Sequence, residues 1–465
     1  MVPQRARPAL DAVEPLARTF SEAGHRLFLV GGVVRDLLAA RPVEEHNDLD
    51  LTTDATPDRI KELVAPLASA LWTQGERFGT IGCTVGDHDF EITTHRAEAY
   101  SPDSRKPEVR FSTDIEADLS RRDFTINAMA LEVTTAEPTL IDPFDGLIDL
   151  QQRVLRTPIA PEESFSDDPL RMMRAARFVA SFELDPVPEL VEAVRAMAER
   201  LEIVSPERIR DELCKLVVVP DPTRGLWFLH DTGLADHFLP ELPAMRLEQD
   251  PIHRHKDVLA HTIAVVRQSP PDLTVRLAAL FHDVAKPKTR SIGPHGVSFH
   301  HHEVVGARMT KDRMRALRFS NELISDVSRL VYLHLRVHTY QMGWTDSAVR
   351  RFVRDAGHLL PELLALTRAD CTTRNRRKAE ALARRIDELE ERIEELREQE
   401  ELSSIRPDLD GRAVMEHLGI PPGPLVGKAL AHLLELRLEH GPMEPEEAYR
   451  ALDEWWARER PAGSA

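Results

Sequence analysis

Apolar and polar positions along this chain follow two rhythms, and the change between them divides it. Up to about Asp149, short apolar runs of strand length alternate with helical patterns, which predicts a small mixed sheet carrying helices. Leu27, Phe28, Leu29 and Val30 form one run, Gly31-Gly32 a tight turn after it, and Val33 onward a helix start. Asp48-Leu49-Asp50-Leu51 alternates with period two, so on a strand both carboxylates point to one face and both leucines to the other. Phe90 to Arg96 is a further strand with Glu91, Thr93 and His95 on one face. Ala97 to Ile115, polar and carrying Pro102 and Pro107, is a long loop.

From Gln151 onward the period is helical, with almost no strand signal. Arg374 to Leu402 is a charged run that predicts one long exposed helix; it could pair with another helix, which leaves a homodimer open. Ser403 to Pro407 is a polar break. The predicted fold class is an α/β head (a small mixed sheet with helices) on residues 1–150, followed by all-α segments on 151–235, 236–373 and 374–465.

Composition adds outer limits. A chain of 465 residues predicts about three domains. Its formal net charge of −18 excludes a globally basic nucleic-acid coat, so any RNA contact must use local patches. Arg171, Arg174 and Arg177 at helical spacing form one candidate patch, and Arg368, Arg374, Arg376, Arg377 and Lys378 another. The three cysteines lie far apart without metal spacing, which fits a reduced cytoplasm. No apolar run is long enough to span a bilayer, and the N-terminus lacks a signal-type apolar core, so no membrane partner is expected.

The candidate chemistry begins at Gly31-Gly32, where backbone amides can approach a phosphate and a following helix start adds N–H donors. Paired carboxylates at Asp48 and Asp50 suit Mg²⁺, and the combination implies a nucleoside triphosphate handled by in-line displacement. In Arg121-Arg122-Asp123-Phe124-Thr125-Ile126-Asn127-Ala128, guanidinium forks suit phosphate oxygens while Asp and Asn can bond sugar hydroxyls. Asp142-Pro143-Phe144-Asp145-Gly146 is a turn. Asp167-Asp168-Pro169-Leu170-Arg171 opens a helix on which Asp168 and Arg171 share a face. If such a pair meets an incoming base, as the resemblance given below implies, an acceptor-only carboxylate beside a donor-only guanidinium selects cytosine and adenine, which both present an amino donor next to a ring-nitrogen acceptor.

A second centre lies beyond Leu239. His261-Thr262 closes an amphipathic stretch, Phe281-His282-Asp283 ends an apolar helix, His300-His301-His302-Glu303 follows, and Asp370 comes later. Imidazoles and carboxylates spread over several helices suit a divalent metal. His302 and His334 could serve a second metal, but are expected to be ordinary polar residues, because a scattered histidine is usually not a ligand.

The order Gly31, Gly32, Arg35, Asp36, Asp48, Asp50 resembles the class II tRNA nucleotidyltransferase and bacterial poly(A) polymerase family of the DNA polymerase β superfamily. That resemblance implies metal-holding roles for Asp48 and Asp50, with Glu91 as a third catalytic carboxylate. It implies nucleotide binding by Gly31, Gly32, Arg35, Arg122, Asp123 and Asn127, and base reading by Asp168 and Arg171 on a helix that also presents Arg174 and Arg177. Asp167 stands where the family usually has Glu. Glu207-Arg208-Ile209 with Glu212-Leu213 matches a motif that supports the reading helix, and the 97–115 loop matches one that helps switch nucleotide choice. Further on, His261, His282, Asp283 and Asp370 resemble the ligand set of the HD phosphohydrolase domain, and the C-terminal part resembles an RNA-binding helical segment.

The implied activity is template-independent addition of CCA to the 3′ end of tRNA from CTP and ATP, with Mg²⁺ in the head. A second phosphohydrolase activity would use a divalent metal whose identity the residues do not select. Poly(A) addition is the alternative within the class; an HD phosphohydrolase with a degenerate head and a tRNA binder without catalysis lie outside it. Intact paired carboxylates weigh against the last two, since a binder has no need to place two like charges side by side.

Overall fold

Leu27–Val30, the first apolar run, becomes strand β1 near the centre of a seven-stranded sheet. The others are β2 (Asp48–Thr53), β3 (Ala70–Trp72), β4 (Thr80–Val85), β5 (His88–Thr94), β6 (Ala130–Glu132) and β7 (Thr139–Ile141), in the order β3-β4-β5-β2-β1-β6-β7. All four residues of β1 are buried because both faces of the strand are covered. Leu27 and Leu29 join Val13, Leu16 and Phe20 of helix Arg7–Glu22 and Ile60 and Val64 of helix Pro57–Val64 in one core. Phe28 and Val30 pack on the opposite side with Ile115, Leu119 and Ala128. Leu49 and Leu51 of β2 belong to the first core, which leaves Asp50 facing the other way. The computed structural model describes residues 7–39, 48–96, 111–247, 257–293, 296–337, 344–372, 376–400 and 406–459, and the chain divides into two compact units, Met1–Pro243 and Ala244–Ala465.

The head shares its unit with the helices that follow it. Among these, Leu170–Ser181 packs against Pro206–Val217 and Thr223–Asp231. Asp168 caps the end of the preceding helix, Pro161–Asp167, and its Oδ1 accepts from Leu170 N at 3.2 Å, so the two helices meet at Asp168-Pro169. Val154–Leu155 pairs in parallel with Asp185–Pro186. Strands of two residues show no period, which is why the sequence reads this region as helical throughout.

The second unit contains helices Val258–Gln268, Leu273–Phe281, His302–Ala316, Asn321–Leu333, Asp346–Ala356 and Leu360–Asp370, and between the second and third of these Arg290–Gly293 pairs antiparallel with Gly296–Phe299. His261 lies in the first turn of its helix rather than at the close of an amphipathic stretch. The charged run forms helix Arg376–Glu400, but it is not exposed all round: Ile386, Leu389, Ile393 and Leu396 are buried. Their spacing of three and four makes a narrow apolar stripe inside a charged sequence. Gly411–Leu418, Pro424–His440 and Pro445–Glu459 form a separate cluster around Val414, Leu433, Leu452 and Trp455. Among the described residues, no helix is long and apolar enough to cross a membrane.

The turn Asp142–Gly146 shows how tightly the head closes. Asp142 accepts from Gly146 N at 2.7 Å and Leu147 N at 2.9 Å, starting helix Gly146–Gln152. A Cβ on Gly146 would lie 2.2 Å from the backbone oxygen of Thr125. Gly146→Ala is therefore expected to destabilise the protein by about 1–3 kcal/mol, read as a lower urea midpoint with an unchanged slope.

Candidate functional site

Parallel pairing of β2 with β5 sets Asp50 beside Glu91 and Asp48 beside Asp89. The side chain of Asp48 lies outside the described residues; Asp50 and Glu91 are both exposed to a cavity of about 320 Å³. Asp118, Asp123 and Asp168 also line it, and so do six arginines: Arg96, Arg121, Arg122, Arg171, Arg174 and Arg208. A chain of net charge −18 has gathered guanidinium groups at one concavity, where a polyphosphate would meet them. Gly31, at φ +77°, passes close by: a Cβ there would lie 3.5 Å from Asp50 Oδ2 and 3.6 Å from Arg122 Nη1. A side chain would fill the gap between carboxylate and guanidinium, and it would strain a left-handed backbone.

Two of the expected nucleotide contacts stand behind this wall. Arg35 donates through Nε and Nη2 to Asp36 (2.9 and 3.0 Å) and through Nη1 to Asn127 Oδ1 (2.8 Å), and it stacks 4.2 Å from the Phe182 ring. Neither Arg35 nor Asn127 lines the cavity. Arg122 does: its Nη2 donates to Asp118 at 3.3 Å, while its Nε is buried without a hydrogen-bond partner, a donor suited to a phosphate oxygen. Asp123 accepts from Phe124 N (2.8 Å), Asn127 Nδ2 (2.9 Å), and Arg174 Nε and Nη2 (2.8 and 2.5 Å). Burial pushes its pKa up, but Arg174 and Asn127 outweigh that and hold it below the ordinary 3.8.

Each of Arg171, Arg174 and Arg177 already has partners inside the protein. Arg174 pairs with Asp123; Arg177 Nε donates to Glu212 at 2.7 Å. Arg171, 8% exposed, donates through Nη1 to Ser164 and through Nη2 to the carbonyl of Arg121. Asp168 receives Arg208 Nη2 at 2.8 Å on Oδ2. Arg208 and Glu212, both on helix Pro206–Val217, thus grip the reading helix and its carboxylate from one side. In the other expected patch, Arg368 donates to Asp387 and Glu390, each at 2.7 Å. Of the remainder, Arg377 is exposed, while Arg374 and the side chains of Arg376 and Lys378 lie outside the described residues. Of the expected switching loop, residues 97–110 also lie outside them, but its flanks are joined by an Arg96–Phe111 bridge and a bond from Ser112 N to His95 O (2.8 Å). His95 itself is buried against Thr52 Oγ1 at 2.8 Å, away from the cavity lining.

In the second unit, His261, His282, Asp283 and Asp370 converge. His261 Nε2 is 3.0 Å from Asp370 Oδ1 and 3.3 Å from His282 Nε2, which is 3.2 Å from Asp283 Oδ2. His302 and His334, expected to be ordinary polar residues, join the same cluster. His302 Nε2 is 3.4 Å from Asp283 Oδ1, and the His334 ring stands 5.4 Å from that of His282 and 5.3 Å from that of His302. The Nδ1 atoms of His282, His302 and His334 donate to the carbonyls of Ala279, Phe299 and Val331 at 2.8, 2.8 and 2.6 Å. A carbonyl can only accept, so Nδ1 carries the proton in each and Nε2 points inward. The Nε2 atoms of His302 and His334 are buried with no hydrogen-bond partner. Burial, helped by His282, pushes the His334 pKa down to about 3, which keeps that ring a neutral donor of its lone pair. Asp283 supplies one oxygen to each of two overlapping groups, His261-His282-Asp283 and Asp283-His302-His334. The sequence signal for the last two histidines was weak because their neighbours in the cluster are far along the chain.

Family models match regions of both units. Residues 27–156 match the poly A polymerase head domain, residues 182–245 the probable RNA and SrmB-binding site of polymerase A, and residues 258–375 the HD domain. The A-adding tRNA nucleotidyltransferase of Deinococcus radiodurans is 36% identical over 472 residues, covering 98% of this chain and 99% of that enzyme. The CCA-adding enzyme of Lactobacillus johnsonii is 37% identical over 236 residues, 50% of this chain and 56% of that enzyme. The crystal structure of the Bacillus stearothermophilus CCA-adding enzyme in complex with CTP superposes with a TM-score of 0.71 at 23% identity, covering 98% of both chains. The Thermotoga maritima CCA-adding enzyme complexed with tRNA gives 0.60 at 19% identity, covering 97% of each.

The Asp123–Arg174 pair generates a test. Arg174 is a third exposed, so solvent discounts the pair; Asp123→Asn is expected to cost about 1–3 kcal/mol at neutral pH. Because the folded pKa of Asp123 lies below 3.8, its contribution is present above that value and is lost as pH falls through the folded pKa. The stability gap between wild type and Asp123→Asn, measured by urea unfolding across pH, should therefore narrow below pH 3.8.

Proposed function

This chain belongs to the CCA-adding tRNA nucleotidyltransferase family and is an enzyme of tRNA 3′-end synthesis; from that premise we propose that its head cavity takes both CTP and ATP and adds C, C and A in turn. The observation that carries this reading is the adjacency, around one cavity, of the Asp50–Glu91 pair, the arginine cluster, and the Asp168–Arg171 pair. The tRNA 3′ hydroxyl attacks the α-phosphate and pyrophosphate leaves. Nucleotidyltransferase heads use divalent cations, and hard carboxylate oxygens in adjacent register fit Mg²⁺, which Asp48, Asp50 and Glu91 would hold. A cation bound there supplies Lewis-acid stabilisation of charge on the phosphoryl oxygens. Arg122, through its unpartnered Nε, steadies the phosphates. Asp168 accepts from the exocyclic amine of C or A while Arg171 donates to the neighbouring ring nitrogen.

One observation favours a narrower reading: the relative that matches 98% of this chain is named for A addition alone. The two readings separate when purified protein is given tRNA ending at the discriminator base or at CC, with CTP or ATP singly. Two C residues on the first and one A on the second are expected. Extension of the CC-ended tRNA by ATP, with no use of CTP on either, would establish the A-only activity.

For the second unit we propose a phosphohydrolase centre. HD domains use divalent metals, and buried unpartnered Nε2 atoms around a shared carboxylate fit a transition metal better than Mg²⁺. His261, His282, Asp283 and Asp370 would hold it, with His302 and His334 extending the set.

Two substitutions test the division of labour. Asp50→Ala should abolish nucleotide addition while thermal unfolding stays within a few degrees of wild type, since a ligand and its like-charge repulsion are removed together. His282→Ala with Asp283→Ala should remove bound transition metal, measured by elemental analysis, and leave CTP and ATP incorporation intact. Loss of nucleotide addition in a folded double variant would show that the two centres are not independent.

A further inference from the structure

Behind the base-reading pair lies a residue that no motif marks. Ser164, on helix Pro161–Asp167, is fully buried, and it does not line the cavity. Its hydroxyl accepts from Arg171 Nη1 at 2.8 Å and its backbone oxygen accepts from the same nitrogen at 3.2 Å. The carbonyl of Arg121 takes one proton of Arg171 Nη2. A guanidinium has five coplanar N–H donors. The three bonds use Nη1 and Nη2, and none of them uses Nε. Arg171 also lines the cavity, where a nucleobase would meet it.

The direction of an N–H fork decides which base it suits. A guanidinium turned out of plane would still offer charge but would no longer distinguish a ring-nitrogen acceptor from a ring N–H. Two of the three acceptors that set the Arg171 plane belong to Ser164, and only one of these is a side-chain group that mutation can remove. The carboxylate of Asp168, the other member of the pair, is held by Arg208 and Leu170 N, and the Ser164 hydroxyl does not touch it; the Ser164 carbonyl accepts from Asp168 N at 3.2 Å.

We propose that Ser164 is a positioning residue for nucleotide choice, fixing the plane in which the Arg171 guanidinium meets the incoming base. This rests on the reading of Asp168 and Arg171 as the base-selecting pair. Ser164 touches no nucleotide; it acts through Arg171.

The test measures kcat/KM for CTP, ATP, UTP and GTP on tRNA lacking its 3′ end, using wild type, Ser164→Ala, Ser164→Cys, Arg171→Ala and the Ser164→Ala/Arg171→Ala double variant. Removing a hydrogen bond to a charged group should cut the preference for the correct bases over UTP and GTP by roughly tenfold in Ser164→Ala. Ser164→Cys, which keeps the size but accepts weakly, should fall between wild type and Ser164→Ala. In the Arg171→Ala background, Ser164→Ala should have no further effect on base choice, because the group it orients is gone. Relaxed choice in Arg171→Ala with wild-type choice in both Ser164 variants would overturn the proposal and leave the base-reading pair standing. Unchanged choice in Arg171→Ala would remove the premise and the proposal together. An equal loss with all four nucleotides in Ser164→Ala would mark the hydroxyl as structural only and also overturn it.

Discussion

A buried carboxylate has to be compensated on every side, and Asp123 meets that requirement by joining the head to the helices behind it. Its oxygens accept from the backbone and side chain of the head at Phe124 and Asn127, and from Arg174 on the reading helix. Asn127 in turn accepts from Arg35, whose guanidinium lies against Phe182 at the end of that helix. Arg177 closes the other side on Glu212. Removing Arg174 would leave the buried Asp123 carboxylate without its ion-pair partner. In the proposed mechanism this network fixes the separation between the carboxylates on β2 and β5 and the pair at Asp168 and Arg171, on which selecting a base and joining it to a chain would both depend.

The sequence made the elements of this machinery visible but not their partners. Alternation at Asp48–Leu51 gives the strand and its acidic face, and the helical period gives Leu170–Ser181. Nothing local in Phe90–Thr94 says that Glu91 stands beside Asp50, because a parallel pairing across 41 residues leaves no periodic trace. Arg171, Arg174 and Arg177 at helical spacing look like a basic surface, since the acceptors that neutralise them lie on segments remote in sequence. Ile386, Leu389, Ile393 and Leu396 were hidden in the same way by the charges around them. His302 and His334 carry no local sign of their surroundings for a related reason: what suits a histidine to bind a metal is what faces it, and both lie against Asp283.

In the proposed reading the two centres differ in donor type: oxygen donors at the head suit a hard cation, whereas imidazoles oriented by nearby backbone carbonyls suit a softer one. In each of those three histidines the accepting carbonyl lies three residues earlier, so the last turn before the ring serves as its orienting group.

The one parallel pairing in an otherwise antiparallel sheet also has a kinetic meaning. Between β2 and β5 the chain must lay down helix Pro57–Val64 and strands β3 and β4 before Asp50 and Glu91 can meet. Hairpins such as β4–β5 close over a short loop, but the carboxylate pair carries the closure entropy of the whole crossover. During refolding, secondary structure and local hairpins would return first, and the capacity to transfer a nucleotide only once that long loop had closed.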